Sequence, residues 1–188
     1  MLIRSLAFLL DTLFFVLIGA ALLRAWMNFC RVNMRAQPGS FVMAVTDWLV
    51  KPLRRVLPKA WAQSRIDWAS VVAAALLALV YALLSALLFG VLAGTRDLAA
   101  FGPTALPSLL LFAVKMLVRV ALQTAMILVF GFAILSWVQP GSPAYSLLGR
   151  LTEPLLAPLR RVIPTVGGLD LSALALILIL QIGLMVLG

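Results

Sequence analysis

Residues 51–58 read KPLRRVLP and residues 157–164 read APLRRVIP. The same proline-bracketed arginine pair therefore occurs twice, 106 residues apart, in a chain of 188 residues of which 11% are charged. On that offset Thr46-Asp47 falls on Thr152-Glu153, Pro52 on Pro158, Arg54-Arg55 on Arg160-Arg161 and Pro58 on Pro164. Upstream, QPGS stands at 37–40 and again at 139–142, and Trp26 and Trp137 each close an apolar run. Downstream, Asp67 and Asp170 each open one, in RIDWAS and GLDLSA. Each half thus reads as an apolar run, a polar hairpin with a proline-arginine centre, an aspartate and a second apolar run. The pattern predicts an all-α protein made of two tandem copies of one two-helix unit.

Composition says what the apolar runs are for. The chain is 64% hydrophobic, with a mean hydropathy of +1.15. Soluble domains are about half apolar and about a quarter charged, so these values belong to a bilayer protein. A helix needs about 20 apolar residues to cross the hydrocarbon core. Four stretches are expected to do so: 6–29, 68–94, 108–138 and 171–187, the last at the lower limit of length. The first follows a weak basic flank, Arg4 alone, and outruns the apolar part of a signal peptide, so it is read as a retained span. The expected organisation is a first copy over 1–94, an external connector over 95–107 and a second copy over 108–188.

An even number of spans per copy makes both copies enter the membrane from the same side, giving parallel repeats. Ten of the fifteen basic residues lie in the two hairpins: Arg31, Arg35, Lys51, Arg54, Arg55, Lys59 and Arg65, then Arg150, Arg160 and Arg161. The positive-inside rule places those hairpins in the cytoplasm and both termini outside.

Function classes narrow by absence. With no histidine there is no imidazole for proton transfer and no histidine-ligated zinc or haem. Cys30 is the single cysteine, so no internal disulfide can form. No glycine-rich phosphate loop, nucleophile–base pair, paired carboxylates or metal-ligand spacing occurs. The expectation is a non-enzymatic protein that uses no cofactor and no metal. Its net charge of +9 sits beside the bilayer, where anionic headgroups explain it more economically than nucleic acid does.

The hairpins hold the main candidate residues. Proline suits a first turn or a break between helices. A short interfacial helix, with Thr46 or Thr152 as its N-cap, is expected to be interrupted near Pro52 and Pro158. A tight turn carrying the arginines would follow, ended by Pro58 and Pro164. Adjacent arginines point about 100° apart on a helix, so one can face headgroups while the other faces the bundle. Two readings stand side by side. The arginines can be topological anchors on anionic lipid, or they can pair with Asp67 and Asp170 and leave a fork for a phosphate or protein ligand. Both aspartates also suit helix N-caps. Gly167 and Gly168 permit a sharp turn before Asp170; the first copy has KAWAQSRI instead, with Trp61 and Trp68 as interfacial anchors.

Two features lie inside the apolar runs. Ser70, Ala74, Ala78, Ala82, Ala86, Gly90 and Gly94 fall at every fourth position, a small-residue row that lets another helix backbone approach closely. Its partner is either another helix of this chain or a second copy in a homo-oligomer. Polar residues also recur: Asp11, Arg24, and Lys115, Arg119 and Gln123 at i, i+4, i+8. Asp11 and Arg24 can snorkel to the nearer interface, and Lys115 can sit at the outer headgroups. Alternatively Asp11 faces Arg119 or Gln123 in an intramembrane polar track.

Taken together, RAW at 24–26, LSW at 135–137, TEPLLAPLRRVIP and GGLDLS resemble the YggT family of bacterial membrane proteins, which is built from two tandem copies of such a unit. The second copy matches more closely than the first, which has TDWLVKPLRRVLP and no double glycine. The resemblance implies a link to osmotic or salt-stress tolerance. Relatives in other lineages are associated with cell-division gene clusters, nucleoid distribution and haem attachment in a photosynthetic cytochrome complex. A membrane scaffold or assembly factor, with anionic lipid and other membrane or division proteins as partners, fits that spread; an ion or osmolyte conductor, potassium-linked for example, is the alternative.

Overall fold

The computed structural model describes residues 2–34, 38–56, 66–90, 106–161 and 170–187. Among them are six helices: α1 (Leu2–Phe29), α2 (Gly39–Val56), α3 (Trp68–Gly90), α4 (Leu106–Val138), α5 (Pro143–Arg160) and α6 (Leu171–Leu187). Pro58, Trp61, Gly94, Pro164, Gly167 and Gly168 lie outside the described residues, as does the expected connector apart from residues 106 and 107.

Three of the helices, α1, α3 and α4, are long and apolar enough to cross a membrane. The fourth apolar helix, α6, has 17 residues. The apolar helices α1, α4 and α6 turn Phe8, Leu9, Leu13, Ile127, Phe130, Leu178 and Ile182 outward, each more than half exposed. At 33 residues, α4 is about 50 Å long, well beyond one hydrocarbon thickness.

Packing follows the chain order in threes. Helices α1, α2 and α3 each touch the other two, and so do α4, α5 and α6. The two groups meet where α4 lies against α1 and α3. Their shared core sets Phe14, Ile18 and Ala21 of α1 against Ala74, Ala78, Tyr81 and Ala82 of α3 and Met116 and Val120 of α4. The small-residue row therefore has an internal partner: Ser70, Ala74, Ala78 and Ala82 are buried, with Ala86 partly so. Small side chains bring the α1 and α3 backbones close enough for dispersion contacts along the row. A second core joins Val129 and Phe132 of α4 to Leu156 of α5 and to Ala173, Leu176 and Leu180 of α6.

The two amphipathic helices differ from the sequence expectation. No break occurs at Pro52 or Pro158; α2 and α5 run continuously through them, and α5 also contains Pro154. An interior proline costs roughly 3 kcal/mol, by losing one hydrogen bond and crowding the carbonyl four residues back. All three prolines occupy the exposed face, so the freed carbonyls can meet water or headgroups. The opposite face stays packed through Val42, Thr46 and Val50 in α2 and through Leu151, Thr152 and Leu156 in α5. That burial, about 1.5–3 kcal/mol for each large apolar side chain, offsets the proline penalty.

Nor are Thr46 and Thr152 N-caps. Both sit mid-helix and donate to the carbonyls of Val42 and Leu148, at 2.7 and 2.8 Å. The cap of α5 is Ser142, whose Oγ accepts from the Tyr145 N–H at 3.1 Å, with Pro143 in the first turn. The glycine of each QPGS answers a different need. A Cβ on Gly39 would stand 2.7 Å from the Met34 backbone, whereas Gly141 has φ +94°.

Candidate functional site

Each amphipathic helix ends beside the start of an apolar one, and an ion pair closes the gap. In the first group Arg54 Nη2 donates to Asp67 Oδ2 at 2.6 Å. Asn28 Nδ2 and Ser70 Oγ donate to the same oxygen at 2.7 and 2.8 Å. One carboxylate therefore gathers the end of α1, the end of α2 and the start of α3. In the second group Arg160 donates to Asp170 Oδ2 through Nη2 at 2.6 Å and Nε at 3.0 Å. Its Nη1 donates to Glu153 at 2.8 Å, and its guanidinium lies 5.8 Å from the Phe132 ring centroid. The Ser172 N–H donates to Asp170 Oδ1 at 3.1 Å, and the Ser172 hydroxyl bonds to that oxygen too. Asp170 thus caps α6 and pairs with arginine at once, the two roles being compatible because its two oxygens divide them.

Electrostatics favours the charged forms. Burial by itself would raise the Asp67 carboxyl, but the Ser70 hydroxyl and the Arg54 guanidinium outweigh it and hold the group below its ordinary value. Burial likewise opposes ionisation of Asp170, and Ser172 and Arg160 overcome it. For Arg160, desolvation works against the cation, while Asp170 and Glu153 together keep it above its ordinary value.

The second arginine of each pair is left over. Arg55 and Arg161 are exposed, and neither makes an ion pair among the described residues. On α2, Phe41, Trp48 and Arg55 stand seven residues apart and share one face. Phe41 is 62% exposed and Trp48 61%, with Lys51 beside them. Both hairpins lie at one end of the bundle, because Trp26 Nε1 donates to the Leu151 carbonyl at 2.8 Å and Arg150 to the Arg31 carbonyl at 3.2 Å. Trp137, the counterpart of Trp26, is instead exposed.

This arrangement of two arginine–aspartate brackets stands on two stretches that a single family model recognises. The CCB3/YggT model matches residues 3–88 and 111–188. The chain belongs to the CCB3/YggT family. A Vibrio alginolyticus protein from the proC 3′ region is 35% identical over 188 residues, covering 98% of this chain and 94% of its own length. YggT of Escherichia coli (strain K12) is 34% identical over 184 residues, covering 95% and 87%. No solved structure matches.

One residue of this CCB3/YggT chain escaped the sequence reading. Arg24 was expected to snorkel, yet it turns inward and is 4% exposed. Its Nη1 donates to Thr46 Oγ1 and to Asp47 Oδ1, both at 2.8 Å. Its Nε is buried without a hydrogen-bond partner among the described residues. Asp47 also takes Lys51 at 2.8 Å. Its carboxyl is lowered first by the Lys51 hydrogen bond and then, against a burial effect that raises it, by Arg24. The available signal was the arginine of RAW standing over an aspartate whose threonine neighbour is repeated in the second hairpin.

The remaining candidates gather elsewhere. Asp11, Lys115, Arg119 and Gln123 line one cavity of about 450 Å³ together with Thr12 and Tyr81. Within it Asp11 accepts from the Tyr81 hydroxyl at 2.6 Å; its hydrogen bond goes there and not to Arg119 or Gln123. Ser70 joins the Asp67 bracket, while Gly90 closes α3. No cluster of three or more metal-ligating side chains occurs among the described residues.

Proposed function

We propose that the chain is a non-enzymatic protein of the bacterial inner membrane that crosses it four times as two tandem copies of one helical pair. Its two amphipathic helices lie on the cytoplasmic surface, both termini lie outside, and the hairpins organise partner proteins against anionic lipid. The observation that carries this reading is the division of labour within each arginine pair. Arg54 and Arg160 are spent on the brackets, whereas Arg55 and Arg161 project from the same end of the bundle and make no ion pair among the described residues. A guanidinium of that kind suits phosphate or carboxylate recognition through two donors. The exposed Phe41 and Trp48 beside Lys51 and Arg55 match an interfacial helix whose aromatic rings enter the headgroup layer and whose basic groups meet anionic lipid. A link to osmotic-stress tolerance belongs to the same proposal through the family resemblance.

The test separates the free arginines from the paired ones. Charge reversal at both free positions, Arg55→Glu with Arg161→Glu, is expected to abolish crosslinked adducts formed in intact cells while the amount of inserted protein stays unchanged. An unaltered adduct pattern contradicts the scaffold reading.

A second reading, an ion or osmolyte conductor, draws support from the shared cavity of Asp11, Lys115, Arg119 and Gln123. Ion flux in liposomes that disappears on Asp11→Asn or Arg119→Gln would favour it; absence of flux under every gradient would remove it.

A further inference from the structure

The polar cavity holds an imbalance that the scaffold reading does not use. Asp11 precedes Asn28, a member of the first bracket, by 17 residues of α1, about 26 Å along the helix. Tyr81, which donates to Asp11, follows Trp68 by 13 residues of α3, about 20 Å from the bracket end. The cavity therefore opens towards the end of the bundle opposite the brackets, where Leu187 also lines it and Asp11, Lys115 and Arg119 are exposed. Two cations and one carboxylate line it, so two positive charges less one negative leave an excess of one. Asp11 is within ion-pair distance of neither Lys115 nor Arg119. Cationic side chains among apolar helices are costly and mark binding sites or pathways.

The donors point to the chemistry of the ligand. The Tyr81 hydroxyl is committed to Asp11, and the Thr12 hydroxyl to the Phe8 carbonyl at 2.8 Å. Lys115, Arg119 and Gln123 form no hydrogen bond among the described residues, and they stand at i, i+4, i+8 on one face of α4. An ammonium, a guanidinium fork and a carboxamide together offer many N–H donors and a single acceptor. A group that matches them carries several acceptor oxygens and a negative charge. The cavity volume of about 450 Å³ lies within the usual range of small-ligand sites.

We propose that the cavity between α1, α3 and α4 binds a phosphate-type oxyanion, held by Lys115, Arg119 and Gln123, with the Asp11–Tyr81 pair setting its far wall. The phosphate can come from a lipid headgroup or from free solution. This site is independent of the hairpins, so it stands or falls separately from the scaffold reading.

The experiment uses the full chain in neutral detergent and has two arms. In the lipid arm, phosphatidylglycerol is titrated and bound lipid is followed by native mass spectrometry. In the free-anion arm, inorganic phosphate is titrated and the melting temperature is followed. Lys115→Gln with Arg119→Gln is expected to weaken the tightest response by about tenfold, since both charges facing the anion are lost. Asp11→Asn removes the opposing charge while keeping an acceptor for Tyr81, and is expected to tighten the same response by about threefold. A variant-sensitive response in the lipid arm alone identifies a headgroup; in the phosphate arm alone, a free anion; in both, a site open to either. Identical titrations for wild type and both variants in both arms overturn the proposal. If the double variant fails to fold, Asp11→Asn decides alone: no tightening in either arm overturns it.

Discussion

The two hairpins do the same mechanical job with different wiring. In the first, the load is split: Arg24, buried in α1, holds the middle of α2 through Thr46 and Asp47, while Arg54 holds its end through Asp67. In the second, one residue carries both roles, since Arg160 takes Asp170 with two nitrogens and Glu153 with a third. Leu135 stands where Arg24 would be, opening LSW as Arg24 opens RAW. With no cation coming from α4, Glu153 pairs with Arg160, about two turns further along α5. A bracket at the end of the helix is what both copies keep; a buried anchor at its middle is dispensable when another pair replaces it.

The largest difference is expected at the matching acidic positions. Asp47→Ala strips the buried Arg24 of its carboxylate and should lower unfolding stability in detergent by about 3 kcal/mol, the scale of a broken buried pair. Glu153→Ala should cost no more than about 1 kcal/mol, because Arg160 keeps Asp170 and the lost partner is mostly exposed. Equal costs would erase the contrast between the two hairpins.

Next come the bracket arginines themselves. Arg160→Ala is expected to cost about 2 kcal/mol, since it removes charge-assisted bonds to two acids. Arg54→Ala should cost about 1 kcal/mol, because Asp67 retains Asn28 and Ser70 and the Arg54 side chain is half exposed. The reverse order, measured by the same unfolding curves, would reassign the hub to the first copy.

Acid should act on both brackets more gently. The Asp67 and Asp170 carboxyls are held below their ordinary values in the folded chain, so their stabilisation is present above the unfolded carboxyl value of about 3.9. It fades as the pH falls through the depressed folded values. Amide exchange at the starts of α3 and α6 should therefore rise only below about pH 4. A neutral carboxyl still accepts hydrogen bonds, which keeps the loss smaller than deletion of arginine. In Asp67→Asn the pH dependence should vanish at α3 and persist at α6; loss at both ends would mean that the brackets titrate as one unit.

The smallest effect on stability belongs to the outward face of α2. Phe41→Ala with Trp48→Ala should change stability by under about 0.5 kcal/mol, as exposed positions do. Quenching of Trp48 fluorescence by brominated lipid nevertheless reports whether the ring enters the headgroup layer. The α5 face carries Ala144, Ser146, Arg150 and Pro154 instead, so a tryptophan placed at Ser146 is expected to be quenched less. Equal quenching would mean that the two helices lie at one depth.

How much of this was legible depends on whether the cause was local. The apolar helices follow from run length, although α1 starts at Leu2 and α4 at Leu106, ahead of the expected 6 and 108; the small-residue row follows from its spacing, and its partner, α1, had to be seen. Pairing of arginine with the aspartate that opens the next helix was one of two readings, because a repeat displays both residues without showing which of the adjacent arginines turns inward. The continuous helices through Pro52 and Pro158 were not legible. Proline's local penalty is visible in sequence, while the burial of Val50 and Leu156 that offsets it is tertiary. Arg24 was misread for the same reason: an arginine near a span end ordinarily reaches for water, and only the fold brings Asp47 beneath it. Membership of the CCB3/YggT family was readable from the repeated hairpin and from the motifs around it.

The proposal rests above all on both hairpins facing the cytoplasm. The direct measurement places single cysteines at Arg55→Cys and Arg161→Cys in a Cys30→Ser background. Both are then exposed to a membrane-impermeant maleimide in intact spheroplasts and in inverted vesicles. The account predicts labelling of both positions in inverted vesicles and of neither in spheroplasts. Labelling of either position from outside, or of the two on opposite faces, would contradict it.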